Sequence, residues 1–135
     1  MRHAGRMNQQ IRVKLVIDSA DRAIEWYAET LGAHLGERHE IDGRVAFAEL
    51  QVLETTLTIK DADAHDQPAV GLILDVQTDD PDPVWEAMVK AGAEVVFPLD
   101  DQVYGQRAGR VRDPFGVQWI LSGPPARDLD ETAAQ

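Results

Sequence analysis

The stretch Ile24–Ala33 (Ile-Glu-Trp-Tyr-Ala-Glu-Thr-Leu-Gly-Ala) has a counterpart 60 residues later at Val84–Ala93 (Val-Trp-Glu-Ala-Met-Val-Lys-Ala-Gly-Ala). In both stretches apolar residues recur with helical spacing, a glycine marks the helix end, and a strand-like segment follows. Two copies are too few for a solenoid, which needs about three repeats to close its core. The pattern therefore predicts two copies of one supersecondary unit in a single domain, with a binding cleft at their junction.

When the pattern of apolar residues is followed along the chain before and after each helical stretch, each copy predicts the element order βαβββ. Asp18 and Ser19 offer oxygens to cap the first helix, and Asp42-Gly43 is typical of a two-residue hairpin turn. The fold class is therefore α+β, with helices covering one face of curved sheets. The predicted strands lie at about residues 11–17, 34–41, 44–52 and 55–60 in the first copy and 70–76, 94–97, 106–112 and 117–121 in the second.

We expect residues 11–123 to form one domain, with a first module at about 11–61 and a second at about 69–122. The segment between the modules is polar and rich in helix and strand breakers. Residues 1–10 are predicted to be a disordered N-terminal tail, and residues 124–135 a flexible acidic tail.

Composition excludes several classes of protein. The chain has no apolar run of the ~18 residues that a membrane span needs, and its polar N-terminal residues lack the apolar stretch of a signal peptide, which predicts a cytoplasmic protein. With no cysteine, disulfides, thiol nucleophiles and thiolate metal ligands are absent from the sequence. A net charge of −11 argues against nucleic acid as a partner, because phosphates are neutralised by Lys and Arg.

The segment Tyr104–Trp119, with its Asp113-Pro114-Phe115-Gly116 turn, resembles the end of the glyoxalase / bleomycin-resistance / extradiol-dioxygenase superfamily, also called vicinal oxygen chelate proteins. The segment Asp21–Tyr27, followed by Leu31-Gly32-Ala33, is similar to the first-helix signature of the same family, in its glyoxalase-like branch. The resemblance covers about residues 11–123. It implies two βαβββ modules that form a curved, cup-shaped mixed sheet with helices on the outer face, usually closed in a homodimer.

The same resemblance implies where a metal would lie. Metal enzymes of the family carry a His or Glu ligand on the first strand of each module and a carboxylate on the last. A divalent cation there would chelate two substrate oxygens. The positions that correspond in this chain are Arg12 (or Ile11), Gly71 and Ile120, with Thr58 and Lys60 on the fourth strand. A guanidinium, an isoleucine and a glycine cannot supply such a ligand.

Other metal ligands are sparse, and no metal or other cofactor is predicted. The four histidines, at positions 3, 34, 39 and 65, have no spacing that would direct two of them at one ion. A rearranged carboxylate site from Glu49, Asp61 and Asp75 stays open as an alternative, so a divalent metal is not excluded.

Strand alternation and the family register predict which side chains face the cup. Trp119 is expected to pack against a helix, whereas Arg107, with a nearby tyrosine, could pair with a ligand carboxylate or stack on a planar ligand. An equally open interpretation makes Arg107 a salt bridge that holds its loop. The predicted ligand-binding residues are Arg12, Lys14, Phe47, Glu49, Ile73, Asp75, Tyr104, Arg107, Gln118 and Ile120.

From these features the sequence predicts a metal-independent, homodimeric small-molecule binding protein that sequesters an antibiotic-like or aromatic molecule. The alternative is a metal-dependent lyase or dioxygenase that uses the rearranged carboxylate site. A metal-free isomerase or cyclase that uses the cup for acid/base work is a third hypothesis, although no convincing acid/base pair supports it. The predicted partners are a small-molecule ligand and a second copy of the chain, without nucleic acid or membrane.

Overall fold

The computed structural model describes residues 9–126, so the predicted tails fall almost wholly outside the described residues, as does His3. The elements follow one another as β1 Lys14–Ile17, α1 Ala20–Leu31, β2 His34–Ile41, β3 Arg44–Val52, β4 Thr55–Asp61, β5 Ile73–Gln77, α2 Pro81–Lys90, β6 Glu94–Asp101, β7 Arg107–Arg112 and β8 Gln118–Gly123. The predicted α+β class and the βαβββ order of both modules are confirmed.

Each module forms its own open four-stranded sheet. The strand orders are β1-β4-β3-β2 and β5-β8-β7-β6, so the two modules have the same topology. In each sheet the first and last strands of the module pair in parallel, with Lys14 opposite Thr58 and Ile73 opposite Gln118. The remaining pairs are antiparallel hairpins. Module 1 is hereafter β1–β4 with α1, and module 2 is β5–β8 with α2.

One hydrophobic core joins the two modules. The helix-bearing face of each sheet contributes to it, as shown by Leu15 and Ile59 in module 1 and by Val111 and Leu121 in module 2, all at most 1% exposed. Because side chains alternate between the faces of a strand, the other face of each sheet points away from this core. The structure thus leaves both of these faces open.

Several element boundaries differ from the prediction for physical reasons. β6 continues to Asp101 although Pro98 lies inside it, since β6 is an edge strand and an edge tolerates the missing N–H of proline. β1 and β5 begin three residues later than predicted. The predicted first residues of these strands, Ile11 and Val70, are each 98% exposed. The Asp42-Gly43 turn is confirmed, with φ values of 54° and 77°.

The N-terminus of α1 is capped from another strand. Neither Asp18 nor Ser19 makes the predicted cap, since the N-cap side chain Ser19 has no hydrogen bond to the helix. Instead the Ala20 N–H donates to Asp61 Oδ1 at 2.8 Å, and the Val45 N–H donates to Asp61 Oδ2 at 2.7 Å. Asp61, at the end of β4, therefore joins the start of α1 to the start of β3.

Neither helix within residues 9–126 has the length and hydropathy required to cross a bilayer.

Candidate functional site

The open face of module 1 is lined by charged and aromatic side chains. Arg12, just before β1, places its Nη1 3.0 Å from Oε2 of Glu49 on β3. The two side chains form an ion pair across β4, which lies between these strands. Lys14 Nζ lies 5.0 Å from the centre of the Phe47 ring, and the His39 ring centre is 5.9 Å from the same ring. Burial, and then repulsion from neighbouring cations, lowers the pKa of the Lys14 ammonium. Four of the predicted site residues therefore lie together on this face.

The open face of module 2 holds four more of the predicted residues. The parallel register places Ile73 beside Gln118 and Asp75 beside Ile120. Partners in register point to the same side of the sheet, and this side is opposite to the buried Trp119. The structure thus has the predicted orientation of the last strand, with Gln118 and Ile120 on the open face and Trp119 on the opposite face.

A cavity of about 410 Å³ lies on the module 2 face. It falls in the usual size range of small-molecule sites, about 300–1,000 Å³. Phe97 and Tyr104 border it and are 59% and 66% exposed, which is unusual for large aromatic side chains. The residues that line it are Phe97, Pro98, Asp100, Gln102, Tyr104, Ala108, Gly109, Arg110 and Ile120.

Arg110 is the positively charged side chain of this cavity. Its guanidinium carbon lies 5.5 Å from the centre of the Phe97 ring, and its Nη1 makes a long contact of 3.4 Å with Gln118 Oε1. Its Nε is buried and has no hydrogen-bond partner within the described residues. A buried N–H without an acceptor costs about 1–3 kcal/mol, so this group is suited to an acceptor that enters the cavity.

Arg107, which the sequence places in the site, lies on the helix-bearing face of β7. Its Nε and Nη2 donate to the two oxygens of Asp82 on α2 at 2.8 and 3.0 Å, and its Nη1 lies 3.3 Å from Asp101 Oδ1. These contacts lower the pKa of the Asp82 carboxyl and raise the pKa of Arg107. The interpretation of Arg107 as a salt bridge that holds its loop agrees with these contacts.

A larger cavity of about 1,020 Å³ lies between the β3–β4 turn and β5. Only Asp75 among the predicted site residues lines it. Its other charged residues are Glu54 and Asp79, so it offers carboxylates but no cation. The smaller cavity is therefore the better match to the predicted residues.

The residues present do not fit a divalent metal. Both oxygens of Asp61 accept backbone N–H groups, and Glu49 is paired with Arg12. Asp75 lies in the other sheet. Between residues 9 and 126 no group of three His, Asp or Glu side chains could hold a metal ion. The structure thus does not assemble the rearranged carboxylate site, and no chemical step is derived through a metal.

The sequence reasoning missed Arg110 and Phe97, although a usable signal was present. The Asp113–Gly116 turn joins β7 to β8, and the pairing across it sets Arg110 opposite Ile120 and Arg112 opposite Gln118. Counting back from the predicted cup residue Ile120 would have selected Arg110 and not Arg107. Phe97 had no comparable signal, because two bulges interrupt the β6–β7 register.

Comparisons with known proteins agree with this architecture. A sequence model described as Glyoxalase/Bleomycin resistance protein/Dioxygenase superfamily matches residues 9–121. An uncharacterized protein of Mycobacterium bovis is 32% identical over 127 residues, which cover 86% of this chain and 83% of that protein. TioX from Micromonospora sp. ML1 has a TM-score of 0.70 at 23% identity, covering 88% of this chain and 98% of TioX. A Pseudomonas aeruginosa protein has a TM-score of 0.75 at 20% identity, covering 87% and 99%. The two structures share the fold.

Proposed function

The chain belongs to the Glyoxalase/Bleomycin resistance protein/Dioxygenase superfamily, and we propose that within it this protein binds a small, partly aromatic molecule without a metal cofactor. The role that we propose is sequestration of an antibiotic-like or aromatic molecule, in the cytoplasm that the sequence predicts. The observation that carries the proposal is the cavity on the module 2 face, which is bordered by two exposed aromatic rings and an arginine.

The donor chemistry supports binding without a metal. The strand positions where the resemblance implies metal ligands carry Arg12 and Ile120, neither of which can ligate a cation. The open faces instead offer hydrogen-bond donors and aromatic rings: Lys14 above Phe47 in module 1, and Arg110 above Phe97 in module 2. Such surfaces hold a ligand by stacking and charge-assisted hydrogen bonds.

A second copy of the chain would complete the cup. Within one chain the helix-bearing faces of both sheets contribute to the shared core, so each open face lies on the side of its sheet away from that core. Ile73 and Phe97 on the module 2 face are 39% and 59% exposed. We propose that in a homodimer the module 1 face of one copy lies opposite the module 2 face of the other. Each cup would then take residues from both chains.

Ligand and metal dependence are tested by thermal unfolding of chelator-treated protein. A library of small aromatic and antibiotic-like molecules is screened, and Ni²⁺, Zn²⁺, Mn²⁺ and Fe²⁺ are each added alone. A ligand at 100 times its dissociation constant adds about 2.7 kcal/mol, which raises the Tm by several degrees in a domain of this size. The proposal predicts such shifts from aromatic molecules in the presence of chelator. A large shift by one cation alone, together with turnover that requires it, would contradict the proposal.

The shared cup is tested by mixing two damaged chains. Phe47→Ala damages the module 1 face and Arg110→Gln the module 2 face, and the library compound with the largest shift serves as the probe. If cups are shared, a mixed dimer with one chain of each kind has one cup with both changes and one intact cup. Wild-type affinity at half the stoichiometry is therefore expected. If each cup lies within one chain, both cups of the mixed dimer are damaged and wild-type affinity is absent.

A further inference from the structure

We infer that the molecule bound on the module 2 face is a planar anion, namely an aromatic or conjugated carboxylate whose charged group contacts Arg110. This inference rests on the proposed binding function and adds the chemical class of the ligand. It follows from the hydrogen-bonding state of Arg110, the rings beside it and the charges of the surrounding residues.

The first observation is that Arg110 lacks a carboxylate partner. In the described part of the chain, Arg12, Arg38, Arg107 and Arg112 each lie within 3.3 Å of an Asp or Glu oxygen. Arg22 packs on the Phe115 ring and Arg44 donates to a backbone carbonyl, but neither lines the cavity. Within residues 9–126 no carboxylate lies at ion-pair distance from Arg110, which contacts a ring and an amide oxygen at 3.4 Å. Its guanidinium therefore retains terminal N–H donors for an incoming anion.

The second observation is that the donors of Arg110 are held in place. The Phe97 ring packs against the guanidinium at 5.5 Å, and Ile120 lies opposite Arg110 in the β7–β8 register. A planar guanidinium presents pairs of N–H groups that match the two oxygens of a carboxylate. Because the side chain is already ordered against the ring, less conformational entropy is lost when the anion binds.

The third observation is the aromatic border of the cavity. Phe97 and Tyr104 both line it and are mostly exposed, so each offers a ring face to a bound molecule. Stacked aromatic pairs contribute about 0.5–1.5 kcal/mol beyond the area that they bury. A planar ring that carries a carboxylate would use the stacking surface and the charged group together, and the volume of about 410 Å³ admits such a molecule.

The net charge of −11 does not prevent anion binding at this position. At physiological ionic strength, charges more than about 8 Å from the ligand are largely screened, whereas a direct guanidinium–carboxylate contact is not. The acidic side chain among the lining residues is Asp100, which is exposed and accepts the N–H of Asp101 through its Oδ1. The short-range contact with Arg110 therefore decides the sign of charge that the cavity prefers.

The test is isothermal titration calorimetry, in the presence of chelator, with three probes that share a naphthalene ring and carry an anionic, a neutral or a cationic group: naphthalene-2-carboxylate, naphthalene-2-carboxamide and 2-naphthylmethylammonium. A charge-assisted hydrogen bond contributes about 1.5–3 kcal/mol, so the carboxylate should bind about 10- to 100-fold more tightly than the amide. The ammonium should bind most weakly. Arg110→Gln should remove this preference, so that the carboxylate binds no more tightly than the amide.

Two further variants separate a binding role from a structural one. Arg112→Gln is the matched control, because Arg112 lies on the same face but is paired with Glu94 at 2.8 Å. It should leave all three affinities within about twofold, since its charge is already neutralised. Phe97→Leu should weaken both probes, and the carboxylate more than the amide, because it removes the stacking surface that both use and the ring that orders the Arg110 guanidinium. Urea unfolding of each variant shows whether it is folded.

The outcomes distinguish the two proposals. Equal affinity for carboxylate and amide in the wild-type protein, or unchanged carboxylate affinity in a folded Arg110→Gln variant, would overturn the anion assignment while the binding function stands. If none of the three probes binds and the library of aromatic molecules also gives no thermal shift, both the assignment and the binding function are overturned.

Discussion

Replacing Asp113 by alanine should be among the most destabilising single changes in this chain. The Asp113 carboxylate is 3% exposed and accepts four hydrogen bonds. Its Oδ1 accepts the N–H groups of Phe115 at 2.9 Å and Val117 at 3.0 Å, which closes the β7–β8 turn. Its Oδ2 accepts the Tyr27 hydroxyl at 2.6 Å and the Trp119 indole N–H at 2.8 Å. One side chain therefore joins α1 of module 1 to the last hairpin of module 2.

The expected loss follows from the donors that are left behind. Tyr27 is fully buried and Trp119 is 2% exposed, so neither can turn its donor to water in the folded state. Each hydrogen bond to a charged acceptor contributes about 1.5–3 kcal/mol. After allowance for local relaxation, we expect Asp113→Ala to lower the free energy of unfolding by about 3–5 kcal/mol. Tyr27→Phe removes one bond and strands no donor, so it should cost about 1–2 kcal/mol.

Asp113→Asn separates the two halves of this network. Its amide oxygen can still accept the two backbone N–H groups, and its NH₂ can donate to the Tyr27 oxygen. The same NH₂ faces the indole N–H of Trp119, which can only donate. We therefore expect a loss between those of Tyr27→Phe and Asp113→Ala.

The assay is urea unfolding of all variants at one protein concentration, because dimerisation would link stability to concentration. Glu29→Ala, at an exposed position of α1, is the control and should change stability by less than about 0.5 kcal/mol. A loss below about 1 kcal/mol for Asp113→Ala would refute the conclusion that this carboxylate joins the two modules.

Three further predictions concern stability alone. Gly109→Ala should lower the free energy of unfolding by about 2 kcal/mol, because the added Cβ would lie 2.7 Å from backbone atoms of β6. Gly36→Ala, whose added Cβ would have its nearest neighbour at 3.4 Å, should lower it by less. Equal urea midpoints for the two variants would contradict this prediction. Hydrogen bonds from Lys60, and then from the backbone N–H groups of Asp66 and His65, lower the pKa of the Asp63 carboxyl from 3.8 to about 2, so Asp63 contributes stability above pH 3.8 that is lost as the pH falls towards 2. As the pH is lowered, the free energy of unfolding should fall less steeply in Asp63→Asn than in the wild-type protein. Parallel curves for the two proteins would argue against the ion pair. Leu53 has a φ of 55°, in the left-handed region that asparagine tolerates better than leucine. Leu53→Asn should therefore relieve about 0.5–1 kcal/mol of backbone strain and raise the Tm. A lower Tm in this variant would count against the strain.

The parts of the fold that depend on local signals could be predicted from the sequence. The bounds of β2 and β3 follow from alternation around the Asp42-Gly43 turn, and the structure has them unchanged. The packing predicted for Trp119 is also confirmed, because its ring lies 5.4 Å from that of Tyr27 on α1. In each case the deciding interactions are close in sequence or repeat with a fixed period.

Other features depend on contacts that no local pattern encodes. The partner of Arg107 is Asp82, which lies 25 residues earlier on α2. The cap of α1 is Asp61, which follows 41 residues after Ala20. The sequence selected Arg107 for the cup, whereas Arg107 contacts α2 and Arg110, three positions further along β7, lines the cavity on the opposite face.

The most direct test of the binding account is methyl NMR of isoleucine-labelled, chelator-treated protein titrated with naphthalene-2-carboxylate. Ile120 lines the module 2 cavity, and Ile73 lies on the same open face. Ile59 is fully buried in the shared core and serves as the internal reference. Binding on the module 2 face predicts saturable shifts of the Ile120 methyl, weaker shifts of Ile73, an unmoved Ile59 and loss of the response in Arg110→Gln. An Ile120 signal that stays fixed while probe binding is detected elsewhere would contradict binding at this face.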